Sequence, residues 1–529
     1  MSDRRRWYAL VTVSVAVSLI IVDSTIVNVA IPSIVADLEI DSTQVQWVQE
    51  SYTLVFASLL LVFGVLADRI GRRRLMLVGV ALFAASSVLA ALAPNGAVLI
   101  GARLLQGVGG AMILPTTLSI INATFRGKER GIAFAVWGST IGGMAALGPL
   151  LGGWLTTDYS WRWAFGINPP IALVILVVGM IVIDESFAEH KRRTDLVAAA
   201  LSVATFGGIV FGLIEGRSLG WWMTLDGAST WWPWALSPVP CAIAVGLLAG
   251  FLFVRRSLSR ARRGLPVLVP LDLFSITSFR NGNVAALVVS LGEFGILLSL
   301  PIWLQNVLDY DALETGWILV ALASGSFLAS GAAQFLTQRY GAVAVVRVGI
   351  GAEIVGVIGI GAVAHVDSTW TSIVPFLAVY GFGVGLATAQ LTGVVLAEVP
   401  VEESGSASGT QSTSRQIGSA LGIAILGTVL FVSTSAVLDA RLSEDGVPAQ
   451  QRDQLVTAVV DSAGGAIAGL SQDPQTADAA DAAREALTDG TRYAAWTAGG
   501  FLILGLAATF SLRSPSSPGR RKGAETSRS

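Results

Sequence analysis

Fourteen apolar runs follow one another along this chain, and they constrain its fold more than any other feature. They fall at about 8–31, 46–67, 75–93, 97–121, 131–154, 166–183, 195–214, 235–254, 281–304, 313–337, 343–363, 371–395, 407–432 and 492–512. Each is near the ~20 residues a helix needs to cross a bilayer. None alternates as a barrel strand does, and in lipid only a helix or a closed barrel satisfies its own backbone. The expected fold is an all-α polytopic membrane protein with fourteen transmembrane helices. The charged fraction agrees: it is 13%, about half the ~25% of soluble chains.

Charge placement tests the count. With the amino terminus inside, 26 of the 34 Lys and Arg residues fall on cytoplasmic segments and 6 on outer loops, while Arg103 and Arg415 lie within spans. A wrong helix number would scramble this separation, which the positive-inside rule demands. Both termini are therefore expected in the cytoplasm. Because charges are segregated by loop, the net charge of −2 says little about partners. The single cysteine, Cys241, excludes an intrachain disulfide. Arg4-Arg5-Arg6 ahead of the first run reads as the flank of a retained helix. The run is too long for a signal-peptide core, and further spans follow.

A weak internal repeat organises the chain. Gln338-Arg339-Tyr340-Gly341 falls where Asp68-Arg69-Ile70-Gly71 falls in the first half. Parallel repeats of this kind relate the two six-helix halves of facilitator transporters. The expected division is an N-terminal six-helix bundle over 1–190, an inserted helix pair with linkers over 191–270, and a C-terminal six-helix bundle over 271–513. A disordered cytoplasmic tail follows over 514–529. The outer loop at about 436–490 carries ten Asp/Glu against three Lys/Arg. It reads either as an amphipathic hairpin, about 449–470 and 476–488, or as a solvated loop. Trp221, Trp222, Trp231, Trp232 and Trp234 read as an interfacial aromatic belt.

Several spans carry residues that hydrocarbon does not tolerate without a reason. Asp23 is about fifteen residues into the first span, roughly 22 Å from its inner end at ~1.5 Å per residue. An intramembrane carboxylate faces a cavity or a partner, and Asn28 lies nearby. In the fourth span Arg103, Gln106, Gly107 and Gly110 share one face. Arg103 reaches a depth similar to that of Asp23. Pairing lowers an acid's affinity for its proton and desolvation raises it, so a pair that changes between conformations can take up and release a proton. Gly138, Gly142, Ala145, Pro149 and Gly152 form a small-residue stripe in the fifth span, suited to close packing with a proline-softened bend. Gly148 and Gly153 extend it. In the second half, Glu293 and Glu353 lie near mid-membrane, and Gln390 and Arg415 are cavity candidates.

The connection Gly64-Val65-Leu66-Ala67-Asp68-Arg69-Ile70-Gly71-Arg72-Arg73-Arg74 lies between the second and third runs. Gly64 and Gly71 can each allow a close backbone approach. The stretch resembles the G-x-L-a-D-R-x-G-R-R/K motif of the major facilitator superfamily. The Asp23 stretch, Arg103-x-x-Gln106-Gly107, and Gly148-Pro149 through Gly152-Gly153 follow in the order typical of the family's drug:proton antiporters. Trp161-Arg162-Trp163-Ala164-Phe165-Gly166-Ile167-Asn168-Pro169-Pro170 resembles the segment opening the sixth span of the fourteen-helix branch. The specific motifs cover mainly the first half. The thirteenth span carries Ser412, Thr413, Arg415 and Gln416 where some multidrug members carry acids, which tells against bulky dications.

The resemblance implies proton-driven export of amphipathic drugs across a bacterial inner membrane. Asp23 would serve coupling and Arg103 would support it. Asp68 and Arg72, within a gating loop that includes Gly64, Arg69 and Gly71, would latch the halves on the inner side. The fifth-span glycines would shape the antiport gate. No cofactor is expected beyond the proton gradient. The expected partners are a small-molecule substrate, protons and membrane lipid, with no nucleic acid and no obligate protein. No phosphate loop G-x-x-x-x-G-K-[ST] is present. His190 and His365 make no metal pair. An enzyme would need a catalytic constellation or a sizeable soluble domain, and the sequence has neither. The alternative on the same fold is export of an endogenous lipid, antibiotic or metabolite.

Overall fold

A computed structural model describes residues 3–125, 127–187, 195–225, 232, 234–265, 267, 271–396, 398–399 and 404–512. Within them the chain is helical throughout: α1 (Asp3–Leu38), α2 (Ser42–Ile70), α3 (Arg72–Ala91), α4 (Gly96–Thr124), α5 (Gly127–Asp158), α6 (Trp163–Gly166), α7 (Asn168–Val182), α8 (Leu196–Leu219), α9 (Pro238–Arg262), a 3-10 turn (Leu271–Ser275), α10 (Thr277–Asn306), α11 (Ala312–Tyr340), α12 (Ala342–Val363), α13 (Trp370–Leu396), α14 (Ser404–Glu444), α15 (Ala449–Asp461), α16 (Ala466–Leu470) and α17 (Ala477–Thr509). The described residues contain no strand, only an isolated bridge between Met223 and Leu236. Eleven helices among them are long and apolar enough to cross a membrane. The remaining three expected runs lie on α2, α5 and α17, which are also helical.

Local chemistry sets the helix ends, and it sets them alike in both halves. Asp41 accepts the Gln44 N–H at 2.7 Å while Gln44 bonds back, closing a capping box at the start of α2. Asp311 and Glu314 do the same for α11. Such caps satisfy amides that have no partner within the helix. Both helices stop at a glycine with positive φ, Gly71 at 113° and Gly341 at 84°, and the next helix starts at once.

Among the described residues, the main apolar cores of the halves merge towards one end. Towards the end marked by Asp158, one apolar core runs from Ile26, Ile31 and Ile34 of α1 through Leu300 and Leu304 of α10 to Phe431 of α14. Towards the end marked by Gly71 the cores are separate, one from α1 to α7 and one from α10 to α17. The shared seam is tight. A Cβ at Gly153 would lie 2.4 Å from the Ala312 carbonyl oxygen, and one at Gly316 would lie 2.7 Å from that of Pro149. Leu313 donates its N–H to Thr157 Oγ1 at 3.1 Å, and Gln305 donates to the Val29 carbonyl at 3.0 Å.

The acidic segment over 436–490 is helical and packed, not a free loop. α14 runs on to Glu444, α15 and α16 follow, and α17 begins at Ala477. Val459, Ile467 and Leu487 join the shared core, and Arg441 binds Glu485 and Asp489. The expected pair of segments lies within this cap, which continues the membrane helices. At the aromatic belt, Trp221, Trp222 and Trp234 are exposed; Trp231 lies outside the described residues. The tail over 514–529 and His190 lie outside them too.

Candidate functional site

Asp23 sits at the centre of a buried polar cage in the first half. Arg103 Nη1 donates to Asp23 Oδ2 at 2.5 Å. Gln106 Nε2 and Asn168 Nδ2 donate to Oδ1 at 3.0 and 2.7 Å. Ser87 Oγ accepts from the same two amides at 2.8 and 3.1 Å. Arg103 further donates to Gln106 Oε1 and, through Nε, to the Val48 carbonyl at 3.1 Å. Its guanidinium lies 4.5 Å from the centre of the Tyr52 ring. All these side chains are buried.

Five helices, α1, α2, α3, α4 and α7, meet at this point, and α4 can approach α2 closely. A Cβ at Gly107 would lie 2.6 Å from the Tyr52 carbonyl oxygen. The expected face of Arg103, Gln106, Gly107 and Gly110 thus forms as drawn. Asn168 and Ser87 complete the cage and were not named as site residues. Asn168 opens α7 with Pro169 and Pro170 behind it, and an amide ahead of two prolines in an apolar run was the available signal. Ser87 offered none. Asn28 is placed beside this cage and is held separately, accepting from Gln49 Nε2 at 2.8 Å.

The second half is less complete. Glu293 is buried and lies 3.6 Å from Arg415, whose side chain is 27% exposed. Thr388 Oγ1 lies 3.4 Å from Glu293 Oε1, and Arg415 Nη2 lies 3.4 Å from the same hydroxyl. These groups line a pocket of about 10 Å³, to which Gln411 and Leu391 also contribute. That is close to the space one water molecule fills. Glu353 is fully buried, and neither carboxylate oxygen has a hydrogen-bond partner among the described residues. Tyr380 links the neighbourhood by donating to the Glu293 carbonyl at 2.8 Å. Gln390 is half-buried on α13 and stands outside the pocket lining. Every recorded side-chain partner of Asp23 belongs to the first half and every one of Glu293 to the second. The structure therefore makes two sites of the four expected coupling residues.

The Gly71 connection has its recorded partner within the first half. The Glu185 carboxylate accepts the Arg73 and Arg74 N–H groups at 3.0 and 3.2 Å. It lies where the unpaired amides of α3 attract an anion. A Cβ at Gly71 would lie 2.6 Å from the Glu185 carboxyl carbon, and φ there is +113°, so both space and backbone require glycine. Gly64 differs from expectation. A Cβ there would lie 3.7 Å from Pro115 Cβ, an ordinary contact, because α2 does not press on α4 at that turn. Arg69 is exposed, Arg72 is half-buried, and the Asp68 side chain lies outside the described residues.

Along α5, a Cβ at Gly148 would meet Thr25 Oγ1 at 1.8 Å, and one at Gly152 would meet the Ile26 carbonyl at 2.7 Å. These two serve packing inside the first half, whereas Pro149 and Gly153 face α11 across the seam. Gly138 and Gly142 lie on α5, and their surroundings fall outside the described residues. Glu215 accepts from Trp47 Nε1 at 2.8 Å and ties α8 to α2. A larger cavity of about 360 Å³ lies at the Asp158 end, lined by Glu39 and Asp41 beyond α1 and by Asp461 of the cap. No group of three or more His, Cys, Asp or Glu placed to hold a metal occurs among the described residues.

The chain matches the Major Facilitator Superfamily over residues 13–423. It is 32% identical over 462 residues to the multidrug resistance protein Stp of Mycobacterium tuberculosis, covering 87% of this chain and 82% of Stp. It is 33% identical over 440 residues to a probable actinorhodin transporter of Streptomyces coelicolor, covering 81% of this chain and 73% of that one. In fold it is similar to a bacterial homologue of the human lysosomal transporter Spinster, solved inward-facing and unoccupied, at a TM-score of 0.63 with 15% identity, covering 98% of this chain and 100% of that one. A helical bundle in two repeated halves, carrying this family's loop and matching its sequence over most of its length, is a membrane transporter: the chain belongs to the major facilitator superfamily.

Proposed function

We propose that the chain is a proton-coupled exporter of amphipathic, lipophilic or singly cationic drugs, working by alternating access. The reading places fourteen spans in a bacterial inner membrane with both termini in the cytoplasm. The halves are 1–190 and 271–513, and α8–α9 form the inserted pair. The Gly71 end faces the cytoplasm, and the sealed Asp158 end faces out. No cofactor and no obligate protein partner enter the cycle. The gradient supplies the drive, ~2.3 kcal/mol per charge per 100 mV of potential.

The observation that carries the reading is the Glu293 site. A buried acid with one loose cationic partner and room for about one water can exchange a proton as its surroundings change. Glu353 stands beside it with no hydrogen-bond partner among the described residues. The closed cage around Asp23 shifts the exchanging role from Asp23 towards Glu293. We assign Asp23 and Arg103 to holding α1 against α4 and α7, so that the first half moves as one body. Gly153 and Pro149 form the face on which the halves rock.

The test is efflux of a fluorescent monocation from cells and everted vesicles, with and without a collapsed proton gradient. Gradient-dependent movement supports the reading; equal movement in both arms sinks the coupling. The second reading is export of an endogenous product, favoured by the similarity to a probable actinorhodin transporter. A metabolite that accumulates inside a deletion strain, with drug tolerance unchanged, would decide for it.

A further inference from the structure

Glu50 lies on α2 and plays no part in either site. It is fully buried, and neither carboxylate oxygen has a hydrogen-bond partner among the described residues. Its place is the seam between the halves. One turn before it on the same face, Gln46 packs where a Cβ of Gly427 on α14 would come, 3.2 Å from the Gln46 amide carbon. One turn after it, Leu54 packs with Ala420 and Ala424 of α14 and with Val210 and Ile214 of α8. Glu50 therefore stands between two contacts that join the first half to the second. Gln46 Oε1 is also buried without a hydrogen-bond partner among the described residues, so this part of the seam holds more than one buried acceptor that is not paired.

The titratable groups on the helices around α2 are engaged elsewhere. Arg103 of α4 is held by Asp23 of α1, Arg415 of α14 lies against Glu293, and Glu215 of α8 accepts from Trp47. Arg452 of α15 pairs with Asp439, Asp453 and Asp461 lie on the exposed cap, and the arginines that open α3 lie at its Gly71 end.

We propose that Glu50 is a proton-binding site of the seam, and that the Asp158 end closes only when Glu50 carries a proton taken from the water on that side. The inference rests on the alternating-access reading above. A carboxylate without water or partners is costly, and its neutral acid is far less so. The bound proton also turns one acceptor of the seam into a donor. When α2 and α14 part, Glu50 meets water, where a free glutamic acid ionises above about pH 4.3. Closing the seam then converts the carboxylate and one proton from the outer water into the buried acid.

The experiment uses full-length protein with Cys241→Ser, carrying spin labels at Tyr159 and Trp370, which are exposed at the Asp158 ends of the two halves. The label separation is measured from about pH 5 to about pH 9 in wild type, Glu50→Gln and Glu50→Asp, beside thermal unfolding and gradient-driven efflux. The wild type should open as pH rises. Glu50→Gln should stay closed over the range, and Glu50→Asp should still open as pH rises but with a midpoint lower than wild type. A Glu50→Gln protein that opens with the wild-type pH dependence overturns the proposal. If Glu50→Gln does not fold, a Glu50→Asp midpoint lower than wild type, following the lower pKa of aspartic acid, supports the site and an unmoved midpoint overturns it. Wild type that opens through Glu50 yet moves no solute under a gradient would sink the exporter reading and leave the proton site standing.

Discussion

Asp23 of the first half and Glu293 of the second are buried in opposite ways. Asp23 receives three donors, one of them the charged Arg103, and is wholly enclosed. Glu293 has a guanidinium at 3.6 Å that is partly open to solvent, and Glu353 has no hydrogen-bond partner among the described residues. Both halves share the capped second helix and its glycine stop, so the scaffold does not cause the difference. The first half gained Asn168 and Gln106 as neutral donors, while the second placed Thr388 at the edge of hydrogen-bond reach. A carboxylate whose bonds are all made resists any change in its proton. One whose bonds are half made can follow its surroundings. The comparison assigns bracing to the Asp23 site and exchange to the Glu293 site.

Removing the cation from each site breaks the comparison most directly. Arg103→Ala leaves a buried, charged Asp23, which costs about 3–5 kcal/mol. Purified protein should then unfold at a much lower temperature. Adding Asp23→Asn should recover most of the loss, because two neutral amides and an amide side chain can coexist. Arg415→Ala should cost no more than about 1 kcal/mol, as its guanidinium is part-exposed and its contact long. Equal losses in the two halves would end the assignment.

The glycines of α5 offer the next largest effect. Gly148→Ala drives a methyl into Thr25 within the first half and should destabilise the fold by about 1–3 kcal/mol. Gly153→Ala presses instead on Ala312 of the other half. It should leave each half folded and raise the reactivity of a cysteine placed at the Asp158 end. Unfolding temperature separates the first effect, and labelling rate the second. The reverse pattern would put the seam elsewhere.

Glu293→Gln should leave unfolding almost unchanged and lower gradient-driven efflux by about tenfold, equivalent to ~1.4 kcal/mol. Downhill movement of the same solute should persist. A variant that keeps full gradient dependence would transfer the exchanging role to Glu353 or Asp23.

Sequence reasoning reached the parts of these sites that lie along one helix. Arg103, Gln106 and Gly107 share a face by helical spacing alone, and the Gly71 loop is a continuous string. Helix existence followed from run length, since lipid leaves the backbone no other choice. What escaped are partners brought by other helices. Asn168, Ser87 and Glu185 lie 145, 64 and 114 residues from the groups they serve, by subtraction within the numbering of Asp23 and Gly71. Glu50 escaped because its isolation is a property of the seam and not of α2. Gly64 was over-read, since a motif position carries no information on how closely the neighbouring helix approaches. The cap over 436–490 was obscured because its alanine-rich, acidic surface suits a solvated segment, while its apolar residues make sense only against the core at the Asp158 end.

An acid outside the membrane supplies a control for the whole comparison. Asp195 precedes α8, accepts the Ala198 N–H at 3.1 Å as its cap, and receives Arg256 Nε at 2.9 Å and Arg260 Nε at 2.9 Å. Burial pushes its carboxyl upward, but the hydrogen bonds from Arg256 and Ala198 outweigh it, and the group is held below the usual aspartate range. A lowered value in the folded state adds stability above the unfolded pKa of about 3.9, and that stability is lost as pH falls through the lower folded value. Asp195→Asn should therefore cost about 1 kcal/mol at neutral pH, the worth of a cap with exposed cationic partners, and progressively less below about pH 4. Hydrogen exchange at the first-turn amides of α8 reads the effect locally. Equal exchange in wild type and variant at neutral pH would show that α8 is fixed by its packing on α9 and α2 alone. Faster exchange in the variant, converging with wild type in acid, would show that a carboxylate tied to two part-exposed arginines responds to pH by its own titration. The rigidity proposed for Asp23 would then follow from its buried arginine and two amide donors together and not from arginine pairing as such.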